Sequence, residues 1–342
     1  MKRVSVIGAS GYAGGELVRW LHSHPEVEIA YLVADTRAGE AVDSVWPSLR
    51  KLSSGSMSSL DPQEIASASD LVFTALPAGA AVQVIELLLA EGTRVVDLGP
   101  DFRLQDVASY ARWYGREHDA PELVAEAVYG IPELHAEMIR AARLVANPGC
   151  YPTVVTLALD ALLRDGLVGE PIIVDAKSGV SGAGRSASRD TSFSELEGNF
   201  RPYAVGTHRH TPEIEQSLAN SGTSPRVFFA PHLAPMTRGI LASCYFEPLE
   251  PVGQTEMIAL LRAAYAESPF VRVLDGLPET KATFASNFCD LTVRVDERTG
   301  RATAIGAIDN LGKGAAGQAV QNMNLMFGFE QTAGLWTAPV YP

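Results

Sequence analysis

Arg3-Val4-Ser5-Val6-Ile7-Gly8-Ala9-Ser10-Gly11-Tyr12-Ala13-Gly14-Gly15-Glu16-Leu17 opens this 342-residue chain with a strand-like run, a glycine-rich turn and the start of a helical pattern. The pattern continues through Val18, Trp20 and Leu21 to His22-Ser23-His24-Pro25, and Val27 to Ala34 reads as a second strand. Strand, glycine turn, helix and strand together make the context in which a dinucleotide-binding turn is credible. The spacing Gly8-x-x-Gly11-x-x-Gly14 departs from the usual G-x-G-x-x-G. Its physics is the same, since it allows close backbone approach and leaves N–H groups at a helix N-terminus to hold a pyrophosphate. The same glycines would also serve tight strand–helix packing. Asp35 at the end of the second strand favours a ribose 2′-OH, whereas Arg37 with Thr36 favours the 2′-phosphate of NADP; the balance inclines to NADP.

Further α/β units follow. Asp70 to Pro77 is a strand with its turn, Ala80 to Ala90 a helix, and Arg94 to Leu98 a strand leading into Gly99-Pro100-Asp101-Phe102-Arg103. Ligands of open parallel sheets bind at the carboxyl ends of strands, so the Pro77 turn and the Asp101–Arg103 loop are expected to face a cofactor crevice. Ser53 to Ser59 reads as a surface loop. Beyond residue 150 the strand-like runs lengthen and alternate: Pro171 to Ala176, Arg226 to Ala230, Gly239 to Phe246, Leu291 to Val295 and Ala302 to Ile308. Helices thin out, mainly to Gln254–Ala266, which implies a mixed-sheet second domain. The expected fold is therefore α/β: a Rossmann-like parallel-sheet domain over 1–148, with 310–342 returning to it, and an α+β domain over 149–309 for catalysis and oligomerisation. Asp309 to Gln318 should open the returning helix, its small residues at 314–317 allowing approach of another helix or of the cofactor.

Asn147-Pro148-Gly149-Cys150-Tyr151-Pro152-Thr153 puts a cysteine in a rigid turn ahead of a helix-period run. A thiol there feels the positive end of the helix dipole, which favours the thiolate. The segment admits two readings, a nucleophile or a small buried cysteine. Lowering a thiol pKa from about 8.5 to about 6.5 raises the thiolate fraction at pH 7 roughly 25-fold. Intrinsic nucleophilicity falls roughly eightfold, leaving a net gain of about threefold. Orientation of whatever the sulfur attacks should therefore matter more than acidity. Cys244 and Cys289 sit in apolar or alternating runs and read as packing residues. Three cysteines without paired spacing fit neither a disulfide framework nor a zinc site, and they suit a reducing compartment. Thr207-His208-Arg209-His210-Thr211-Pro212-Glu213 is the second dense cluster, two histidines about an arginine before a helix start. No carboxylate or cysteine at ligand spacing completes a metal site there.

The net charge of −13 disfavours nucleic-acid binding and means that anionic ligands need local cations. Arg103, Lys177, Arg185, Arg209, Arg238 and Lys313 are the candidates. No stretch is apolar enough to span a bilayer, and the N-terminus lacks signal-peptide character, so a cytoplasmic protein is expected.

Taken together these segments resemble the N-acetyl-gamma-glutamyl-phosphate reductases, NADPH-dependent enzymes of arginine biosynthesis grouped with the aspartate-semialdehyde dehydrogenases. The resemblance runs the length of the chain. It covers the Gly8–Gly14 turn, Asp97-Leu98 with Asp101-Phe102-Arg103-Leu104, the Asn147–Thr153 turn and Lys177-Ser178-Gly179-Val180-Ser181-Gly182-Ala183-Gly184-Arg185. It continues with His208–Ile214, Ala230-Pro231-His232-Leu233, Arg238-Gly239-Ile240 and Asp309 to Gln318. Gly99-Pro100 departs from the Ser-Ala more usual in the family.

The resemblance implies that Cys150 attacks an acyl phosphate to give a thioester, which hydride from NADPH reduces. It implies His210 as acid/base, with His208 as alternative or orienting partner. Cofactor contacts are expected at Gly8, Ser10, Gly11, Tyr12, Gly14, Thr36, Arg37, Pro77, Ser178, Gly179, Gly182, Asn310 and Lys313. Arg103 and Asn147 would grip phosphate, Arg238 the substrate carboxylate, and Glu213 belongs to the same substrate set. No metal is expected. Partners are a small acyl phosphate and further copies of the chain, as homodimer or homotetramer, with neither nucleic acid nor membrane. Two rivals remain open: reduction of a carrier-protein-linked aminoadipyl phosphate in lysine biosynthesis, and a non-catalytic NADP-sensing module. Reduction of aspartyl phosphate is a further rival.

Overall fold

The computed structural model describes residues 1–53, 55–186, 188–219 and 221–341. They fall into two units, Met1–Pro148 with Ala315–Trp336, and Gly149–Gly314 with the residues from Thr337. The returning segment thus begins at Ala315, whereas the sequence reading begins it at 310. The Asp309–Lys313 stretch stays with the second unit because Asp309 and Asn310 are bonded there to the 238–239 and 285 backbone or side chains.

The first unit carries β1 (Lys2–Ile7), β2 (Val27–Val33), β3 (Leu71–Thr74), β4 (Arg94–Asp97), β5 (Val128–Tyr129) and β6 (Leu144–Ala146). These pair in the order β2-β1-β3-β4-β6-β5, every pairing parallel. Parallel strands are buried on both faces, which is why β1, β3 and β4 read as near-continuous apolar runs. Successive connections leave β1 in opposite directions, so the strand order reverses between β1 and β3, where open α/β sheets bind their ligands. Helices Tyr12–His22 and Val82–Ala90 supply the crossovers, as expected. Helices Val107–Tyr114 and Pro132–Ala141 were not legible beforehand. The first starts on an Asp106 side chain that accepts from the Ala108 and Ser109 N–H groups, a cap of ordinary kind on a helix too short to show periodicity.

The second unit is built on β7 (Val168–Ser178), β8 (Arg201–Pro202), β9 (Val227–Leu233), β10 (Ile240–Pro248), β11 (Val271–Val273), β12 (Cys289–Asp296) and β13 (Arg301–Ile308). Their order is β11-β12-β13-β10-β7-β9-β8, with parallel and antiparallel pairs mixed. Helix Cys150–Arg164 packs on this sheet and under helices His210–Ala219 and Gln254–Ala264. Its residues from Tyr151 to Leu163 are all buried, the pattern of a helix enclosed on every side. Tyr265 Oη donates to the Leu157 carbonyl at 2.7 Å, and Thr156 Oγ1 to Ser217 Oγ at 2.9 Å, so few rotations of the helix keep its polar groups satisfied. The other sheet face leaves Phe228 and Tyr245 exposed. The helix-period run after Cys150 forms the helix Cys150–Arg164, the core of this unit. The final helix begins at Gly317, after a wider-wound turn over Gly312–Ala316.

Candidate active site

Cys150 occupies the first turn of its helix. Gly149 caps it in an extended conformation (φ −67°, ψ 157°), and the Gly149 carbonyl accepts from both Thr153 N and Thr153 Oγ1. The Gly149 N–H donates to Glu213 Oε1 at 2.8 Å in a fully buried bond. Glu213 thus holds the cysteine turn from a helix more than sixty positions away. Gly314 walls the other side, since a Cβ there would lie 2.8 Å from Cys150 Cβ. The missing side chain at Gly314 therefore admits the cysteine helix. Cys150 is partly exposed, while Cys244 and Cys289 are buried and burial pushes the Cys244 thiol up to about 12.

A cavity of about 390 Å³ opens on the thiol. Its wall includes Tyr151, Ser178, Gly179, Gly182, Arg201, Tyr203, His208, Arg209 and His210. The Tyr203 hydroxyl donates to Tyr151 Oη at 3.1 Å. Burial outweighs the hydrogen bond to Tyr151 and pushes Tyr203 up to about 12, and burial raises Tyr151 as well, so both phenols stay protonated at neutral pH.

The two histidines, equivalent in sequence, differ here. His208 Nδ1 accepts the His210 backbone N–H at 3.0 Å, which leaves Nε2 to carry the ring proton. The ring lies edge-on to Tyr151, Tyr203 and Phe229 at 5.2–5.7 Å. Burial first, then the neighbouring charges of His210 and Arg209, hold His208 down at about 3. The ring is therefore neutral at neutral pH. His210, first residue of helix His210–Ala219, faces the cavity 5.9 Å from the Tyr151 ring.

The second unit also holds the residues read as cofactor contacts on its glycine loop. Ser178, Gly179 and Gly182 border the thiol cavity. Asn310 has both ends of its amide engaged: Oδ1 accepts from Gly239 N at 2.8 Å and Nδ2 donates to Ser181 Oγ at 2.9 Å. It pins the 178–184 loop. Arg238 sends Nε and Nη2 to Asp309 Oδ1 at 3.2 and 2.9 Å and lies over the Phe284 ring, so its charge is already matched. Lys313 is fully buried.

In the first unit, Gly11 caps helix Tyr12–His22 in the extended conformation that Gly149 also adopts (φ −77°, ψ 165°). Gly8 has φ +90°, and a Cβ on Gly14 would meet the Gly8 carbonyl and sit 2.7 Å from Ala9 Cα. This cradle admits backbone only, which fits a dinucleotide pyrophosphate at the helix N-terminus. Ser10 and Tyr12 lie on the same turn. Thr36 is exposed just past β2; Asp35 Oδ1 accepts from Leu60 N, and Arg37 pairs with Glu40 at 3.2 Å. Exposed Pro77 follows β3, and the adjoining loop is fastened by Asp101, which accepts Gly79 N at 2.8 Å and the Tyr110 hydroxyl at 2.6 Å. Arg103 donates to the Leu98 carbonyl at 2.6 Å. Asn147 is fully buried, donating to the Ala315 carbonyl and accepting from Asn322 Nδ2. Its amide braces the turn.

Arg201 and Tyr203 were missed by sequence reasoning. Neither lies in a motif, and only the β8–β9 pairing brings them to the cysteine. Among the described residues no helix is long and apolar enough to cross a membrane, and no three metal-ligating side chains cluster.

The NAD binding domain of semialdehyde dehydrogenases matches residues 3–142, and the semialdehyde dehydrogenase dimerisation domain matches residues 150–310. The chain superposes on aspartate semialdehyde dehydrogenase with NADP from Candida albicans with a TM-score of 0.75 at 16% identity, covering 96% of this chain and 99% of that one. The Vibrio cholerae aspartate semialdehyde dehydrogenase II complexed with ASA gives 0.73 at 17% identity, covering 96% and 98%. Fold and matched domains define an oxidoreductase of the semialdehyde dehydrogenase class. Within it, the chain is 51% identical to the N-acetyl-gamma-glutamyl-phosphate reductase of Symbiobacterium thermophilum over 346 residues, 99% of each protein. It is also 51% identical to that of Citrifermentans bemidjiense over the whole of both chains. The chain belongs to the N-acetyl-gamma-glutamyl-phosphate reductase family.

Proposed function

We propose that this protein reduces N-acetyl-L-glutamyl 5-phosphate to N-acetyl-L-glutamate 5-semialdehyde at the expense of NADPH, releasing phosphate, in arginine biosynthesis. The observation that carries this reading is the Cys150–His210 cavity, in a chain half identical to reductases of that name along its full length.

The Cys150 thiolate attacks the acyl carbon; the C–O bond to phosphate breaks and a thioester forms. NADPH, when bound, supplies the hydride. Gly8, Ser10, Gly11, Tyr12 and Gly14 would hold its pyrophosphate, Thr36 and Arg37 its 2′-phosphate, and Pro77 would border it. His210 protonates the oxygen of the tetrahedral hemithioacetal. As that hydroxyl loses its proton back to His210, the C–S bond breaks, releasing aldehyde and thiolate. Tyr151, Tyr203 and His208 stay neutral and hold the cavity wall. Arg103 would carry phosphate. Glu213, Asn147 and Asn310 act as positioning residues through the backbone they bind. We further propose a cytoplasmic homodimer, joined through the exposed face of the second sheet. A monomer by light scattering overturns that assembly.

Mass spectrometry of enzyme acid-quenched with acyl phosphate and no NADPH tests the core claim. An N-acetylglutamyl adduct on the Cys150 peptide is expected, and an unmodified peptide during steady turnover refutes it. Turnover of only a carrier-linked substrate would move the assignment to the lysine-pathway alternative.

A further inference from the structure

We propose that Asp101 is a positioning residue for the cofactor: through Gly79 it holds the 75–80 loop as a second wall of the dinucleotide site, an assignment that rests on the dinucleotide reading above and not on which acyl phosphate is reduced. The loop leaves the carboxyl end of β3 directly beside the pyrophosphate cradle. Ala75 N donates to the Ile7 carbonyl at 2.8 Å, and a Cβ on Gly8 would lie 2.4 Å from the Ala75 carbonyl oxygen. A dinucleotide with its pyrophosphate on Gly8–Gly14 therefore meets this loop next. β1 lies between β2, whose end leads to Thr36 and Arg37 for the 2′-phosphate, and β3. The loop thus borders the half of the dinucleotide away from the adenosine.

Ala75-Leu76-Pro77-Ala78-Gly79-Ala80 has no polar side chain with which to fix its own shape, and Pro77 and Ala80 are exposed. Asp101 supplies what the loop lacks. It is fully buried, and both carboxylate oxygens accept the single Gly79 N–H, at 2.8 and 2.9 Å. Oδ1 also accepts the Tyr110 hydroxyl at 2.6 Å. A buried carboxylate is unfavourable unless hydrogen-bonded, so Asp101 and the Gly79 N–H hold each other in place. The loops after β3 and β4 are thereby tied together at the edge where open α/β sheets bind their ligands.

Asp101 is itself held from behind. His118 Nδ1 accepts from Ala120 N at 3.0 Å, which leaves Nε2 to carry the ring proton and donate to the Asp101 carbonyl at 2.9 Å. Tyr110 stacks on Tyr114 with ring centroids 4.8 Å apart, and His118 lies edge-on to it at 5.0 Å. Arg116, paired with Asp119 at 2.7 Å, fills the space a side chain at position 79 would need, since a Cβ there would lie 1.3 Å from its Nη1. Gly79 also has φ +77°, a conformation that favours glycine. None of these groups has to touch the cofactor; they fix the main chain that does.

Fluorescence titration with NADPH, and competition by 2′,5′-ADP, test this without turnover. 2′,5′-ADP carries the adenosine half of the cofactor and lacks the half that the loop borders. Asp101→Ala should weaken NADPH binding about 30-fold, the order of a charge-assisted hydrogen bond, and 2′,5′-ADP binding by less than about twofold. Tyr110→Phe removes a donor to the carboxylate without touching the loop and should weaken NADPH about fivefold, again sparing 2′,5′-ADP. Asp101→Asn keeps an oxygen for the Gly79 N–H and should stay within about threefold of wild type on both ligands. Equal losses on both ligands in Asp101→Ala mark a damaged domain and overturn the assignment, as does NADPH binding indifferent to that change. Should Asp101→Ala not fold, Tyr110→Phe decides alike: selective loss supports the clamp, and equal loss or none overturns it. Wild type that fails to bind NADPH refutes the dinucleotide reading and the clamp with it, whereas wild type that binds NADPH while the variants match it refutes the clamp alone.

Discussion

Two helices of the molecule begin alike and serve different ends. Each follows a strand and a short turn, and each is capped by a glycine in extended conformation without a side-chain cap, Gly11 for Tyr12–His22 and Gly149 for Cys150–Arg164. Around the first, a Cβ at Gly8 or Gly14 would run into backbone, so only main chain approaches what binds there. Around the second, the next residue is a cysteine whose turn is clamped by Glu213 and walled by Gly314, with open space only before the sulfur. One helix start presents N–H groups and excludes side chains; the other delivers one side chain and excludes alternatives. The dipole is common to both, so chemistry is decided by what the turn allows next to it.

The sharpest way to break this contrast is to remove the delivered atom. Cys150→Ser should lose at least about 10⁴-fold of phosphate-dependent NADP reduction, since an alkoxide is not available at neutral pH and orientation alone cannot replace it. NADPH binding and the circular dichroism spectrum should be unchanged. Retention of activity within tenfold would falsify the thioester route.

Next in size is the cradle. Gly14→Ala forces a methyl against Gly8 and Ala9 and should weaken NADPH binding by 10²-fold or more, read by fluorescence titration, with Cys150 alkylation by iodoacetamide unaltered. Slowed alkylation would show that the two helix starts do not act separately.

The histidines come third. His210→Gln should lower kcat by about 10²- to 10³-fold and abolish one limb of the pH–rate profile. His208→Asn keeps an acceptor for the His210 N–H and should lose about tenfold with both limbs in place. Disappearance of a limb in the His208 variant instead would reverse the assignment. The sign of the His208 shift also makes a stability claim. Held at about 3 in the fold against an ordinary 6.5, it contributes fully above pH 6.5, and that contribution drains away as pH falls from there towards 3.

The smallest effect concerns Asp97 at the end of β4, fully buried, accepting Thr74 Oγ1 and Gly99 N. Burial raises its carboxyl to about 6 from 3.8. The fold therefore retains a proton that the unfolded chain has released, and stability from this group is lost as pH rises through 6. Asp97→Asn should gain roughly 1–3 kcal/mol relative to wild type on moving from pH 5 to pH 8, measured by urea denaturation. A pH-independent difference would show that the carboxylate is solvated or paired when ionised.

Much of this architecture was legible from local rules. Gly8, Gly14 and the Pro148-Gly149-Cys150-Tyr151-Pro152 turn announce themselves because φ/ψ restrictions and missing Cβ atoms act within a few residues. The parallel sheet shows as apolar runs for the same reason. Short capped helices such as Val107–Tyr114 escape, having too few turns for a period. Roles of polar side chains are a different matter, as Glu213, Asn147 and Arg238 show. Each was read as touching substrate, and the fold also gives each a backbone group or a carboxylate to hold, which no local pattern announces.

From the chain alone came the class of fold, the nucleotide turn, the one cysteine set at a helix start, and the family. All of these follow from sterics and periodicity over short spans. Tertiary structure decided which histidine stays neutral, which arginines border the sulfur and which carboxylate clamps its turn. Those outcomes depend on burial and on partners far apart in the chain, 64 positions for Gly149 and Glu213, and no local pattern encodes a side chain's dielectric or its distant partner.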